Sequence, residues 1–223
     1  WFNFKPEYIF HLAAMPRIVY SIEHPVHVLE NNVLSSLYVL QFARACGTKR
    51  VIYSSSSSVV GNGRGPENPY GASKLMPETL CGVWSRLYGL DTVCLRYFNV
   101  YSPDQKADGP YATAVANWMQ HIRDDKNPFI TGDGEQLRDM AHKLDVVSAN
   151  IFCMNHDNNF EGAWFDIGTG ENISLNSMKD IVAQYFPEVI FDYVAPRLND
   201  VVETKAAIEP LNSLGWYPKH KAE

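Results

Sequence analysis

Short apolar runs alternate with longer amphipathic segments through the first half of the chain, and this alternation admits few folds. Residues 8–14 (YIFHLAA) read as a strand ending in small residues. Residues 26–46 read as a helix with Val28, Leu29, Val33, Leu37, Leu40 and Phe42 near one face, and Gly47 is a suitable stop. Residues 50–54 form the next expected strand, running into five consecutive serines, Ser54 to Ser58. A helix over 70–88, stopped by Gly89, and a strand over 92–97 complete the series. Strand–helix–strand–helix–strand at this spacing predicts right-handed crossovers and a parallel sheet, so the fold class is α/β. Ligands of such sheets sit beyond the carboxyl ends of the strands.

After Pro103 the texture changes. A loop rich in Asp, Lys, Gly and Pro leads to an expected helix near 111–124, then a short strand over 129–131 and the turn Gly132-Asp133-Gly134. A helix is predicted over 144–154, a strand over 164–167 and a helix over 174–186 with Ser174 as its cap. A strand near 189–193 and a last helix before Gly215 follow. Composition narrows the class of function. With 46% hydrophobic residues in 223, the chain can bury a sizeable core. A net charge of −6 argues against nucleic acid as partner and requires a local cationic pocket for any anionic ligand. Cys46, Cys81, Cys94 and Cys153 form no CxxC pair and suit reduced thiols in the cytoplasm. No apolar run is long enough to span a bilayer, so no membrane partner is expected. Seven scattered histidines supply no ligand-spaced cluster, so no metal site is expected.

Three segments carry chemistry together. Tyr70-Gly-Ala-Ser-Lys74 is a YxxxK pair, whose spacing puts phenol and ammonium on one helical face. A positive charge ~4 Å from a phenol at an effective dielectric of about 20 is worth roughly 4 kcal/mol, about three pK units. The expectation is therefore a phenol drawn from ~10 towards ~7, fit for general base work. The serine run, directly after a strand, offers a hydroxyl for a substrate oxygen; the competing reading is a polar loop of capping serines. The strand-then-turn Leu95 to Pro103 places Asn99 where a ligand's phosphates or sugar would lie. Pro77, inside the expected Tyr70 helix, predicts a kink or tightened turn just past Lys74.

The stretches HLAAMPRIVYSIEHP (11–25), RVIYSSSSSVVG (50–61), PYGASK (69–74), LRYFNVYSP (95–103), GDGEQLRDMAH (132–142), DIGTGENISL (166–175) and PRLND (196–200) resemble the extended short-chain dehydrogenase/reductase superfamily. Within it the chain is most similar to the NAD-dependent nucleotide-sugar epimerases and dehydratases, the UDP-glucose 4-epimerase group in particular. The resemblance implies a Rossmann-type doubly wound parallel sheet with a smaller α/β substrate-binding domain. It implies residues 1–102 as a partial NAD-binding domain, with 139–156 packing back on it, and 103–223 as mainly the nucleotide-sugar domain.

By the same resemblance Tyr70 is the catalytic acid/base, Lys74 its partner and a holder of the nicotinamide ribose, and Ser56 the catalytic serine. Ala13, Ala14, Asn32, Ser54, Tyr97 and Phe98 line the cofactor NAD beside Tyr70 and Lys74. Ser56, Asn99, Arg138, Arg197 and Asp200 grip the substrate, the arginines matching its diphosphate. Epimerisation at C4 of a UDP-hexose through a transient 4-keto sugar is the implied reaction, in a homodimer joined by a helix pair. Ser57 and Ser58 stand where the dehydratases carry an Asp-Glu pair, which disfavours dehydration. A dehydratase or reductase of the same superfamily, or a truncated protein that binds nucleotide sugar without catalysis, is the alternative. The glycine-rich fingerprint expected before His11 is absent from the sequence, and the stretches between Gly61 and Tyr70 and between Asp200 and Lys205 are short against the family. These departures lead to the expectation that the sequence is a fragment. His11 and His142 are read as structural, and Trp84, Tyr88, Trp118 and Trp164 as core.

Overall fold

The computed structural model describes residues 4–105, 113–196 and 201–221. The first strand, β1 (Tyr8–His11), stops three residues before Ala14, where the expected strand ended. Helices α1 (Ile18–Glu23) and α2 (Pro25–Leu29) come next, and Pro25 opens α2 at a position where no backbone donor is needed. A π-helical turn, Glu30–Leu34, joins α2 to α3 (Ser35–Cys46). The single helix expected over 26–46 is thus interrupted in its middle. Gly47 ends α3 with φ 69°, the left-handed geometry that glycine takes without a Cβ penalty.

Strand β2 (Arg50–Ser56) runs two residues further into the serines than expected, and a 3₁₀ turn, Ser57–Val59, follows. Helix α4 (Pro69–Tyr88) is capped by Asn68, whose side chain accepts from Gly71 N at 2.9 Å. It continues as helix through Pro77, whose ring is buried. Packing of that ring offsets the bond its missing N–H forfeits. Strand β3 (Asp91–Tyr97) completes the first half.

Beyond it lie α5 (Ala114–Arg123), β4 (Phe129–Thr131), β5 (Leu137–Asp139) and α6 (Lys143–Asn155). Strand β6 (Trp164–Ile167), β7 (Asn172–Ser174), α7 (Leu175–Tyr185), β8 (Asp192–Val194) and α8 (Glu209–Asn212) end the described chain. The main sheet has the order β1-β2-β3-β6, and every pairing in it is parallel. Its fourth strand thus comes from far beyond Pro103. Strand β4 pairs parallel with β8, and β5 antiparallel with β7.

Alternation along the strands divides the core. Val51 and Tyr53 pack with Leu40, Ala43, Cys81, Trp84 and Cys94 beneath α3 and α4. Ile52, Val93, Leu95 and Ile167 pack on the other face with Ala149 and Cys153 of α6 and with Leu211 and Trp216. A separate cluster of Trp118, Ile130, Met140, Leu175, Met178 and Val182 binds α5, α7 and the small strands together. Helices on both faces are what a parallel sheet requires, since neither face can be left to water.

Candidate active site

Helix α4 lies over the carboxyl ends of β2 and β3, and its buried face holds Tyr70, Ser73, Lys74 and Glu78. Ser21 of α1 accepts from Tyr70 N at 3.1 Å, which fixes where the helix begins. Lys74 is 4% exposed and donates to the Ser54 carbonyl at 2.7 Å, while its ammonium sits 5.0 Å from the centre of the Tyr53 ring. One of three donors is thereby used, which leaves others for a sugar hydroxyl. Burial brings the Lys74 pKa down to about 8, against an upward pull from Glu78.

The Tyr70 phenol behaves otherwise than its spacing suggests. Burial pushes its pKa above the usual value, and the Ser56 hydroxyl alone works in the lowering direction. The phenol expected near 7 is therefore a protonated group in the unliganded protein. Desolvation of the phenolate outweighs a lysine whose ammonium is turned to the Ser54 carbonyl.

The serines divide by direction. Ser54 Oγ shares a hydrogen bond with Tyr97 Oη at 2.9 Å, and Tyr97 Oη in turn accepts from Asn150 Nδ2 at 2.9 Å. Burial raises the Tyr97 pKa, with Ser54 and Asn150 opposing. Ser55 Oγ donates to Glu78 Oε1 at 2.5 Å. Ser56, the last residue of β2, accepts from Ser58 N at 3.2 Å and so caps the 3₁₀ turn. The run is thus both strand and cap, and Ser56 is the hydroxyl it presents to Tyr70.

Asn32 sits in the π turn, 1% exposed, with its amide committed on both sides. It accepts from Met15 N at 2.7 Å and donates to Ser73 Oγ at 2.8 Å and to Met15 O at 3.2 Å. It therefore braces the loop after β1, which carries the exposed Ala13 and half-buried Ala14, against α4. His11, at the end of β1, is bonded through Nε2 to Ser36 Oγ at 2.9 Å. Ser36 spends its proton on Asn32 O at 2.7 Å, so His11 Nε2 is the donor. Its pKa is lowered to about 4, by burial first and by the Lys74 charge second.

At the exit of β3, Phe98 is buried and Asn99 has φ 30°, a left-handed conformation that asparagine tolerates better than most residues. Asn99 Nδ2 donates to Asp139 O at 2.7 Å and to Thr204 Oγ1 at 3.0 Å. Two clefts take this pair into their walls. One, of ≈ 380 Å³, is lined by Ser57, Gly61, Phe98, Val202, Thr204 and Lys205. The other, of ≈ 250 Å³, is lined by Asn99, Thr131, Gln136, Arg138, Met140 and Met178 among others. Arg138 Nη1 donates to Leu137 O at 2.9 Å. Arg197 and Asp200 lie outside the described residues.

Asp139, which the sequence reading did not single out, is fully buried and organises this region. Its carboxylate accepts from Thr169 N at 2.7 Å, Thr169 Oγ1 at 2.9 Å, Gly170 N at 2.9 Å and Ala206 N at 3.0 Å. A Cβ at Gly168 would lie 2.8 Å from either carboxylate oxygen, so the neighbouring GTG turn needs its first glycine. Its place inside the GDGEQLRDMAH stretch was the available signal.

Residues 2–168 match the NAD dependent epimerase/dehydratase family. The chain belongs to that family. A UDP-glucose 4-epimerase of Mycolicibacterium smegmatis is 30% identical over 234 residues, covering 97% of this chain and 72% of that protein. The crystal structure of a UDP-glucose 4-epimerase from Thermotoga maritima with UDP-glucose is 31% identical. It superposes with a TM-score of 0.92 over 98% of this chain and 74% of that one. A UDP-N-acetylglucosamine 4-epimerase from Methanobrevibacter ruminantium, in complex with UDP-N-acetylmuramic acid, is 31% identical with a TM-score of 0.89. That match covers 96% of this chain and 71% of the other. The Rossmann-type α/β fold, an enzyme of this family and NAD as the family's cofactor agree with what the sequence motifs implied. Lys74, with donors to spare at the strand ends, and the braced loop carrying Ala13 and Ala14 fit the ribose and nicotinamide end of that cofactor.

Proposed function

We propose that the protein epimerises C4 of a UDP-hexose of the UDP-glucose/UDP-galactose type, with NAD as bound cofactor. The observation that carries this reading is the convergence of Tyr70 and Lys74, from one buried face of α4, on the end of β2 where Ser56 stands. Bound NAD supplies the acceptor and donor of hydride. Tyr70 takes the proton of the sugar 4-hydroxyl and returns it. Ser56 donates to that oxygen as charge gathers on it. Lys74, cationic below about pH 8 and on the same buried helical face, stabilises the phenolate as the proton moves.

Phe98, Tyr97, Ser54, Ala13, Ala14 and the loop braced by Asn32 face the cofactor in this reading. Asn99 and Arg138, in the wall of the cleft beside Met140 and Met178, hold the nucleotide diphosphate and ribose in this reading, and Arg197 and Asp200 share that role. Residues 1–102, with 139–156, make up the cofactor part, to whose sheet β6 also belongs, and 103–223 mainly the sugar-nucleotide part. Ser57 and Ser58 supply no carboxyl group to expel a 6-hydroxyl, which favours epimerisation over dehydration.

Pairing of two copies through α3 and α4 is part of the proposal. It is supported by Tyr38 on α3 and Met76 and Leu87 on α4, which remain exposed. No helix among the described residues is long and apolar enough to cross a membrane. Four free cysteines suit the reducing cytoplasm, where we place the protein.

The test is interconversion of UDP-glucose and UDP-galactose, followed with wild type and Tyr70→Phe. Interconversion lost in the folded variant supports the reading, and interconversion at the wild-type rate overturns it.

A further inference from the structure

One buried charge in this region belongs to none of the roles above. Glu78, one helical turn beyond Lys74, is 7% exposed, and Arg96 of β3 is 9% exposed. Arg96 grips the carboxylate with two donors, Nε to Oε1 at 2.9 Å and Nη2 to Oε2 at 2.6 Å. Its guanidinium lies 3.7 Å from the centre of the Trp164 ring on β6. Oε1 also accepts from Ser55, the residue between Ser54, whose carbonyl holds Lys74, and Ser56. One carboxylate thus ties α4, β2, β3 and, through Trp164, β6 together beside the site. A buried pair with this cost of desolvation adds little stability over an apolar filling. Its placement, not its energy, is what calls for a role.

The geometry points to Glu78 as the positioning residue of the acid/base site: it holds the Ser54–Ser56 segment in register with α4 and keeps Lys74 cationic. This rests on the reading of Tyr70, Lys74 and Ser56 given above. The groups around Lys74 are His11 from β1, Tyr53 from β2, and Tyr70 and Glu78 from its own helix. Those around Glu78 are Arg96 and Cys94 from β3, Tyr53 and Ser55 from β2, and Asp166 from β6. Glu78 opposes the burial that lowers the Lys74 pKa.

The experiment reads Lys74 directly, without substrate or cofactor. In protein labelled with ¹³C/¹⁵N-lysine, the side-chain signal lost in Lys74→Met is titrated in wild type and in Glu78→Gln. Wild type is expected to titrate near pH 8, and Glu78→Gln about one pH unit lower. Glu78→Asp, which retains the charge, returns most of that shift. Should Glu78→Gln fail to fold, Glu78→Gln/Arg96→Met, in which both members of the buried pair are neutralised, is titrated against Arg96→Met, so that the two proteins differ in the Glu78 charge alone. An unmoved Lys74 titration in whichever variant folds overturns the proposal. Ser55→Ala keeps the charge and tests the tether: amide exchange at Ser58, which donates to Ser56, is expected to quicken about tenfold, and unchanged exchange overturns that part. Wild-type activity in Tyr70→Phe would remove the reading of Tyr70 while leaving the Lys74 titration intact, so the two failures are distinct.

Discussion

The carboxyl end of the main sheet and the region around Asn99 and Arg138 differ in how much room they leave. At the sheet, Ser54, Ser55, Ser73, Lys74, Glu78 and Arg96 are all buried and bonded to one another or to backbone. Around Asn99 and Arg138 the strands are three residues long, and open clefts of ≈ 380 and ≈ 250 Å³ remain. The first region is built before any ligand arrives. The second leaves volume for one. Under the proposed function, the chemistry is preorganised and recognition is left to surfaces that can admit different sugars.

The comparison breaks first at Tyr70. If the sheet end carries the proton transfer, Tyr70→Phe should lower kcat by about 10²–10⁴-fold while the melting temperature stays near wild type. A merely structural tyrosine would show the reverse.

Asp139 joins the two regions and should show the largest effect on stability. Asp139→Ala removes four hydrogen bonds to a fully buried carboxylate and takes that acceptor from three backbone N–H groups, of Thr169, Gly170 and Ala206. A loss of about 3–5 kcal/mol is expected in urea unfolding. A loss below about 1 kcal/mol would mean that the loops around it stand by themselves.

His11 gives the sheet end a pH dependence. Its folded pKa of about 4 lies below the ordinary histidine value of 6.5, so the unfolded chain binds more protons between those limits. Stability rises with pH there: the contribution is complete above about pH 6.5 and is lost as pH falls towards 4. Wild type should lose of the order of 2–3 kcal/mol more than His11→Gln between pH 7 and pH 4, measured by urea unfolding at each pH. Parallel curves for the two proteins would contradict this.

Arg138 should show the smallest change. Arg138→Ala is expected to weaken UDP binding about tenfold or somewhat more in calorimetry, with unfolding unchanged. Unfolding that shifts with it would place the residue with the buried network instead of the open cleft.

Periodicity and punctuation carried most of the fold. Strand β6 occupies the residues expected of it, and Gly47, Gly89 and Ser174 end or begin helices where they should. The Tyr70–Lys74 pair was legible because both partners lie on one helix, where spacing alone decides their face. The sign of its electrostatics was not. Whether a phenol moves up or down depends on how deeply other elements bury it, and those elements come from α1 and the end of β2.

Glu78 reads in sequence as one more charge on an amphipathic helix. Its burial depends on Arg96 and Ser55 arriving from two strands. Asp139 likewise takes its meaning from residues 169, 170 and 206. Spacing says nothing of such partners.

The π turn at Glu30–Leu34 has a consequence for rotation about the helix axis. One residue of an α-helix advances the face by about 100°, and a π turn absorbs roughly one residue more than a regular turn does. Asn32 must look towards Met15 and Ser73, while Leu40 and Ala43, further along, must look into the sheet. Val28, ahead of the turn, is buried like Leu40 twelve residues on, and a helix of uniform pitch through 25–46 would set these two about 120° apart. The local widening works as a phase correction between a polar brace and an apolar seam. Deleting a single residue there would leave a helix of better hydrogen bonding and put its two ends out of step.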